Sequence, residues 1–345
     1  MNPFTLNFGM IPSTYIPRKT QEAEVISGIT AESSMQNLYM ITGLRGAGKT
    51  VFLTEIEDYF RSKDWLVFDL SIEMDLLQSF ASKLYNHQKL RVLFHDARLN
   101  LSQLGIGIEI KGEPPITDLN TAIECMLDIV KSENQKVLIA IDEAVDSENM
   151  KHFLSTFYLL MQDNYPVCLL LSGLIDNIND LRNDKTLSFL SQVPKIMLEP
   201  LNKVAMVHEY KKIFNNTLDE AREMANLTKG YAYAYQVMGY LCYKNGVSHV
   251  TEDILKEFDA YMDEYVYSKI WQEQSLANKQ VLKAIASSRT GSIKDIRKSL
   301  DIPSEPFSNY CLRFIRQGLI EADGYEKVKL ILPRFSVFMA NQFVE

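Results

Sequence analysis

Residues 43–50, with the sequence GLRGAGKT, constrain the fold of this chain more than any other segment. They match the pattern G-x-x-x-x-G-K-[ST], in which a glycine-rich turn surrounds the phosphates of a nucleotide. The apolar run 38–42 before the motif predicts a buried strand, and residues 51–62 after it have helical apolar spacing. A strand, a glycine-rich turn and a helix in this order predict a phosphate-binding loop.

Each residue type in this loop has a physical reason to be there. Gly43 and Gly48 allow the backbone to turn tightly and to approach phosphates without Cβ clashes. The backbone amides converge on phosphate oxygens, Lys49 places its ammonium on the β- and γ-phosphates, and the Thr50 hydroxyl ligates Mg²⁺. The predicted ligand-binding residues here are Gly43, Leu44, Arg45, Gly46, Ala47, Gly48, Lys49, Thr50 and Val51. The alternative is a glycine-rich connection without a ligand.

A second motif, VLIAIDEA, supplies acidic residues about ninety positions later. Asp142 ends the apolar run 137–141, which predicts a central strand of a parallel sheet. Ligands of open α/β sheets lie at the carboxyl edge of the strands. We therefore predict that Asp142 belongs to the magnesium shell, directly or through water, and that Glu143 orients or deprotonates the attacking water. The alternative is that the acidic pair caps the next helix.

Ser172 is a third candidate. It follows the apolar run 167–171 and is expected at the same edge of the sheet. Its hydroxyl could contact the γ-phosphate or position water, or it could only begin a turn before Gly173. Glu143, Lys49 and Ser172 form the predicted catalytic set.

The pattern along the chain predicts a doubly wound parallel sheet followed by two smaller domains. Strands alternate with helices as far as about residue 200, with a possible β-hairpin within 99–110 and a helix capped by Thr117. Only helical spacing follows, up to residue 274. Three helices and two short strands then come in the order of a winged helix. The predicted domains are a P-loop core over 1–200, an α-helical lid over 201–274 and a winged helix over 275–345.

Composition places the chain among globular proteins. Hydrophobic residues make up 46% and charged residues 23%. No apolar stretch approaches the roughly 18 residues that span a bilayer, and the first twenty residues do not resemble a signal peptide. The four cysteines and five histidines match no metal or disulfide spacing. We expect reduced cysteines and a cytoplasmic protein that does not bind membranes.

Charge is distributed unevenly. The net charge is −8, but residues 276–345 contain 11 Lys and Arg against 7 Asp and Glu, so this tail carries +4 and the rest −12. Because the third helix of a winged helix can enter the major groove, we predict DNA contacts from that helix and the following hairpin. The predicted DNA-binding residues are Arg313, Arg316, Lys327 and Lys329, and the predicted core of the helix is Tyr310, Leu312, Phe314 and Ile315. The alternative is an ordinary solvated basic surface.

These motifs in this order resemble those of the AAA+ ATPases, and most closely the bacterial and archaeal ATPases related to origin-recognition-type initiators. The segment PSTYIPRKTQEAEVISGI is similar to the one that lines the adenine pocket in that family, which implies that Ile16, Pro17 and Arg18 lie near the base. TKGYAYAYQVMGY resembles the family's lid-helix signature. The resemblance implies Mg-ATP as ligand. The absence of an N-K-x-D guanine motif also favours ATP over GTP.

The chain departs from this family at two arginine positions. Tyr233 stands where lid helices of hydrolysing members often carry an arginine. Ser191, Gln192 and Lys195 stand where an arginine finger is expected, with Arg182 somewhat upstream. Because such arginines accelerate phosphoryl transfer by orders of magnitude, we expect slow turnover, or an arginine from a second copy or a protein partner.

Two functions remain open. The first is an ATPase whose nucleotide state controls DNA binding through the winged helix. The alternative is a STAND-like, ATP-gated signalling or assembly switch whose winged helix contacts proteins. A small-molecule kinase is less consistent with a lid plus a winged helix. The tyrosine-rich stretches near 231–235 and 261–267 have helical spacing, which favours packing over base stacking.

Overall fold

The computed structural model describes residues 1–7, 9, 11–31, 36–107 and 114–342. The chain forms two compact units. The sheet unit comprises Lys19–Thr42 and Lys49–Met197, and the lid–wing unit comprises Met1–Arg18, Gly43–Gly48 and Leu198–Glu345. The three domain boundaries stated above remain a prediction.

The sheet unit contains five parallel strands in the order β2–β3–β4–β1–β5. The strands are β1 (Leu38–Thr42), β2 (Leu66–Leu70), β3 (Val137–Ile141), β4 (Val167–Gly173) and β5 (Lys195–Met197). Every residue of β1, β3 and β4 is buried, which explains their unbroken apolar sequences. The predicted doubly wound α/β fold is confirmed.

Helices connect these strands. They are α1 (Lys19–Thr30), α2 (Lys49–Ser62), α3 (Leu76–Tyr85), α4 (Arg91–Asp96), α5 (Leu119–Ser132), α6 (Glu148–Gln162) and α7 (Ile175–Asn183), and a 3₁₀ segment follows at Lys185–Gln192. The cap of α5 is Asp118, whose carboxylate accepts a hydrogen bond from the Thr121 amide at 2.7 Å. The predicted cap at Thr117 is therefore wrong by one residue, because a carboxylate caps as well as a hydroxyl does.

The predicted β-hairpin is wrong over its described part. Residues 99–107 contain no strand and only a 3₁₀ turn at Ser102–Leu104, and residues 108–110 lie outside the described residues. Leu101 and Ile106 are buried in the hydrophobic core of the sheet unit. The loose apolar alternation in this stretch thus comes from a loop that inserts single side chains into the core.

The lid–wing unit begins with helices. They are α8 (Lys203–Phe214), α9 (Leu218–Thr228), α10 (Ala232–Lys244), α11 (Glu252–Met262) and α12 (Ser268–Gln272). A π-helical turn at Asp263–Tyr267 separates α11 from α12. None of the described helices is both long and apolar enough to cross a bilayer.

The winged-helix region completes this unit. Its elements are α13 (Leu276–Ser287), α14 (Ile293–Ser299), α15 (Ser304–Arg316), β6 (Ile320–Ala322), β7 (Val328–Leu330) and α16 (Phe335–Ala340). The strands pair antiparallel, and Ser292 forms an isolated bridge to Lys327. Three helices and a hairpin therefore occur in the predicted order, and α16 is an additional element.

One hydrophobic core runs through the lid and the winged-helix region. Tyr267 of the π-helical turn packs against Phe335 and Phe338 of α16, with ring centroids 5.0 and 5.6 Å away. Arg334 donates from Nε and Nη2 to the two carboxylate oxygens of Asp259 on α11, at 2.6 Å each. The helical lid and the winged helix thus fold as one body.

Candidate nucleotide site

The candidate residues of the sheet unit lie where neighbouring strands end. Asp142 directly follows β3, Ser172 is near the end of β4, and Thr42 ends β1. Ser172 pairs in register with Ile41, so Ser172 and Thr42 project from opposite faces of the sheet. The carboxyl ends of β3, β4 and β1 therefore bring these polar residues to one edge.

Thr50 and Asp142 are in direct contact. The Thr50 hydroxyl donates to Asp142 Oδ2 at 2.5 Å, and Asp142 Oδ1 accepts the Glu143 amide at 2.9 Å. A hydroxyl and a carboxylate are oxygen donors, which Mg²⁺ prefers, and phosphates and water commonly complete its shell. The two residues assigned to magnesium thus fit that ion.

Glu143 occupies a strained position. Its φ is +57°, which costs a residue other than glycine on the order of 1–2 kcal/mol, and the residue is exposed. The turn is fixed because the Ala144 amide donates to the Ser172 carbonyl at 2.8 Å. Strained residues cluster at functional sites, and this one lies next to the carboxylate that contacts Thr50.

Two buried hydroxyls at this edge have no hydrogen-bond partner among the residues that the structure describes: Ser172 Oγ and Thr42 Oγ1. Both side chains are fully buried, and an unsatisfied buried hydroxyl costs roughly 1–3 kcal/mol. Thr42 was not among the predicted site residues. A polar residue that ends an apolar strand directly before Gly43 is the sequence signal that could have identified it.

The phosphate loop is divided between the two units along the chain: Gly43–Gly48 belongs to the lid–wing unit, whereas Lys49, Thr50 and Val51 begin α2 of the sheet unit. Gly46 and Gly48 have φ values of +74° and +90°, which glycine adopts readily. The Ala47 amide closes a turn onto the Leu44 carbonyl at 3.1 Å.

The residues predicted near the base make different contacts. Ile16 is buried in the lid–wing core, and Pro17 is exposed. Arg18 is only 9% exposed, and its guanidinium donates to the Glu199 carbonyl from Nε at 2.9 Å and to the Ala47 carbonyl from Nη2 at 2.8 Å. Arg18 thus bonds the backbone of the phosphate loop.

The start of α10 also contacts the phosphate loop, which sequence analysis did not anticipate. The Tyr231 hydroxyl donates to the Arg45 carbonyl, and the Tyr233 amide donates to the Gly46 carbonyl at 3.1 Å. Tyr233 is buried, and burial raises the pKa of its hydroxyl. At the lid position where the family resemblance implies an arginine, the chain therefore provides a neutral side chain.

The two basic residues near the expected arginine finger also have partners. Arg182 donates to the Leu190 carbonyl at 3.3 Å and to the Ser191 carbonyl at 2.8 Å, within the 3₁₀ segment. Lys195 donates to Asn179 Oδ1 at 3.1 Å. Burial, with a smaller effect of Arg182, lowers the pKa of Lys195.

The four predicted DNA-binding residues differ in their surroundings. Arg313 donates to Asn278 Oδ1 at 3.1 Å, and Lys329 pairs with Glu321 at 3.3 Å and Asp323 at 3.0 Å. Arg316 and Lys327 are exposed, and neither forms an ion pair within the described chain.

The predicted core of α15 is partly wrong. Leu312 and Ile315 are 51% and 40% exposed, while Phe307 and Phe314 are fully buried. Phe307, with Cys311 and Phe314, forms the buried stripe at helical spacing. The prediction assigned Leu312 and Ile315 to the core because they are apolar. Their positions on the helix relative to Phe307 instead direct their side chains toward solvent.

No protein-family model and no curated protein match the sequence. Solved structures do match. The ORC2 protein of Aeropyrum pernix, in ADPNP–ADP complexes, gives a TM-score of 0.55 at 14% identity over 95% of each chain. Cdc6p of Pyrobaculum aerophilum gives 0.47 at 13% identity over 97% of this chain and 95% of that chain. A STAND protein with a tetratricopeptide repeat sensor from Pyrococcus horikoshii gives 0.40 at 14% identity, over 97% of this chain and 44% of that chain.

The match to ORC2 establishes the fold. Its TM-score exceeds 0.5, whereas the TM-scores of the other two structures lie below 0.5. The chain therefore has the fold of that ORC2 protein, which confirms the fold predicted from the sequence.

Proposed function

We propose that this chain is a Mg-ATP-binding ATPase with slow intrinsic turnover. The observation that carries the proposal is the hydrogen bond between Thr50 and Asp142 at the carboxyl edge of the sheet. The loop amides and Lys49 would hold the phosphates, and Thr50 with Asp142 would hold Mg²⁺. That ion supplies charge neutralisation on the phosphates. Glu143, exposed beside this pair, would orient the attacking water. The ORC2 structure of the same fold contains ADPNP and ADP.

Slow turnover follows from the surroundings of the basic residues. Arg182 is bonded to two backbone carbonyls, and Tyr233 offers no positive charge. An arginine from a second copy or a protein partner would then raise the rate by roughly 10³–10⁵.

The test is ATP binding and hydrolysis by the wild type, Lys49→Ala and Glu143→Gln. We expect Lys49→Ala to lose ATP affinity. Glu143→Gln should bind ATP normally and hydrolyse it roughly 10²-fold or more slowly, since it lacks the carboxylate that acts on water. Glu133→Gln, an exposed glutamate of the same unit, is the matched control. Wild-type turnover in Glu143→Gln would remove the catalytic assignment, and absence of ATP binding by the wild type would remove the proposal.

We further propose that the nucleotide state controls duplex DNA binding through the winged-helix region. Exposed Arg316 and Lys327 support this proposal. Arg313 and Lys329 contribute less, because their charges are already engaged. The STAND-like alternative is favoured by Leu312 and Ile315, because an exposed apolar pair suits a protein surface better than phosphates.

The salt dependence of DNA binding distinguishes the DNA-binding function from the STAND-like assembly switch. If DNA is the partner, Arg316→Ala with Lys327→Ala should lower the salt slope of binding by about 2, while Leu312→Ser with Ile315→Ser leaves it unchanged. The opposite result has two parts. The wild type does not bind DNA even at low salt, and it self-associates when ATP is present. Only the variant with Leu312→Ser and Ile315→Ser loses this self-association. That result would favour the assembly switch.

A further inference from the structure

Three successive carbonyls of the phosphate loop each accept a hydrogen bond from a donor outside the loop. The pairs are Arg45 with the Tyr231 hydroxyl, Gly46 with the Tyr233 amide at 3.1 Å, and Ala47 with Arg18 Nη2 at 2.8 Å. All six residues belong to the lid–wing unit. The donors are not part of the G-x-x-x-x-G-K-[ST] motif, so the motif itself does not account for them.

These contacts fix the direction of the loop amides. In a planar trans peptide the N–H points opposite to the C=O, so a restrained carbonyl orients the amide of the next residue. The Arg45 carbonyl thereby orients the Gly46 amide, and the Ala47 carbonyl orients the Gly48 amide. The Gly46 carbonyl orients the Ala47 amide, which donates to Leu44 within the loop at 3.1 Å. Amides that converge on one side form the concave surface that binds phosphate oxygens.

Gly46 provides independent evidence for this arrangement. The phosphate-loop motif leaves this position free, yet a Cβ here would lie 3.1 Å from the Tyr233 Cβ and would also clash with the Tyr231 hydroxyl. Its φ of +74° disfavours a side chain as well. The start of α10 therefore requires glycine at position 46.

The donors are themselves held in place. Burial raises the pKa of Tyr231, so its hydroxyl remains a donor at physiological pH. The turn before α10 is closed by hydrogen bonds from the Tyr231 amide to Thr228 at 2.9 Å and from the Leu201 amide to Gly230 at 2.8 Å. Arg18 is oriented by its second bond, to Glu199 at 2.9 Å.

We propose that Tyr231, the Tyr233 backbone amide and Arg18 are positioning residues for nucleotide phosphates, which act through the carbonyls of the phosphate loop. This inference rests on the proposed ATP binding. It predicts that loss of a donor weakens phosphate binding in particular, because the restrained Gly46 and Gly48 amides would contact phosphate oxygens and not the base.

The experiment compares ADP and AMP affinities of the full chain by competition with a fluorescent ADP. Tyr231→Phe removes only the hydroxyl and should weaken ADP binding by about 3- to 10-fold, the equivalent of one hydrogen bond. AMP binding should change little, since AMP lacks the phosphates that the loop grips. Tyr325→Phe, the same change at an 89% exposed residue, should leave both affinities at the wild-type value.

A second variant and the unfolding temperature distinguish positioning from a merely structural role. Arg18→Lys should show the same ADP-selective loss, because an ammonium cannot donate to both carbonyls as the planar guanidinium does. Wild-type ADP affinity in both variants overturns this inference and leaves ATP binding intact. Equal losses for ADP and AMP together with a lower unfolding temperature also overturn it. If the wild type binds no ADP, the proposed function fails, and this inference fails with it.

Discussion

A single guanidinium in the sheet unit contacts three acidic side chains. Arg61 of α2 donates to Glu57 and Asp69 from Nη2 at 3.0 Å each, and to Asp58 from Nη1 at 2.9 Å. Burial, followed by the hydrogen bond and the negative charge of Asp69, raises the pKa of Glu57 to about 8, although Arg61 opposes the shift. Glu57 therefore keeps its proton to a higher pH than an exposed glutamate does.

This proton makes stability depend on pH. Unfolded Glu57 ionises near its usual pKa of 4.5, whereas the folded protein keeps the proton up to about 8. Its contribution to stability is complete below pH 4.5 and is lost as pH rises through 8. We expect Glu57→Gln to flatten the decline in the free energy of unfolding between pH 5 and 8.5, as measured by urea titration. Exposed Glu133→Gln should keep the wild-type slope, and an unchanged slope in Glu57→Gln would contradict the assignment.

At the scale of elements, Arg182 has a structural task in the 3₁₀ segment Lys185–Gln192. It connects α7 to this segment through the Leu190 and Ser191 carbonyls. The hydrogen bonds within this segment stabilise it only weakly, because 3₁₀ hydrogen bonds are poorly aligned and Leu187 departs from helical φ and ψ.

We predict that Arg182→Ala speeds amide hydrogen exchange across residues 185–192, since two charge-assisted bonds are lost. Arg222→Ala, the loss of an exposed arginine that pairs with Asp219, is the control and should leave this exchange unchanged. A fall in ATP hydrolysis of about 10³ with unchanged exchange would instead identify Arg182 as an arginine finger.

Sequence periodicity predicted most elements, and its failures have physical causes. The apolar runs of β1, β3 and β4 are unambiguous because central parallel strands are buried on both faces. The apolar residues of 99–107 resemble strand alternation, although Leu101 and Ile106 are buried residues of a loop. In α15 the error arose because Leu312 and Ile315 are apolar but exposed.

The candidate site was predictable where local sequence determines it. The phosphate loop and the Asp142–Glu143 pair follow from motif and strand position alone. The Thr50–Asp142 contact also needs the strand order, because 92 positions separate the two residues. The bond from Tyr231 to Arg45 spans 186 positions and could not be derived from any local pattern. Its one trace in the sequence is Gly46, a glycine at a position that the phosphate-loop motif does not specify.

At the scale of the whole molecule, residues that precede the first strand pack into the lid–wing core. Phe4 is 2% exposed in the lid–wing core, and its ring lies 5.8 Å from Phe214 and 5.8 Å from Tyr235. The Thr5 amide donates to Gln236 Oε1 at 3.1 Å. Residues from before the first strand therefore stabilise helices that follow the last strand of the sheet, so the lid–wing unit is discontinuous in sequence.

The shared core of lid and winged helix also has a kinetic consequence. Lys229 donates a hydrogen bond to the Leu330 carbonyl of β7 at 3.1 Å. It lies two positions before Tyr231, whose hydroxyl donates to the Arg45 carbonyl. A rearrangement of the phosphate loop can thus reach the hairpin through one short stretch of backbone, without a separate docking step between domains. We expect the hairpin to respond on the microsecond timescale of loop motions, and not at the slower rate at which domains separate and reassociate.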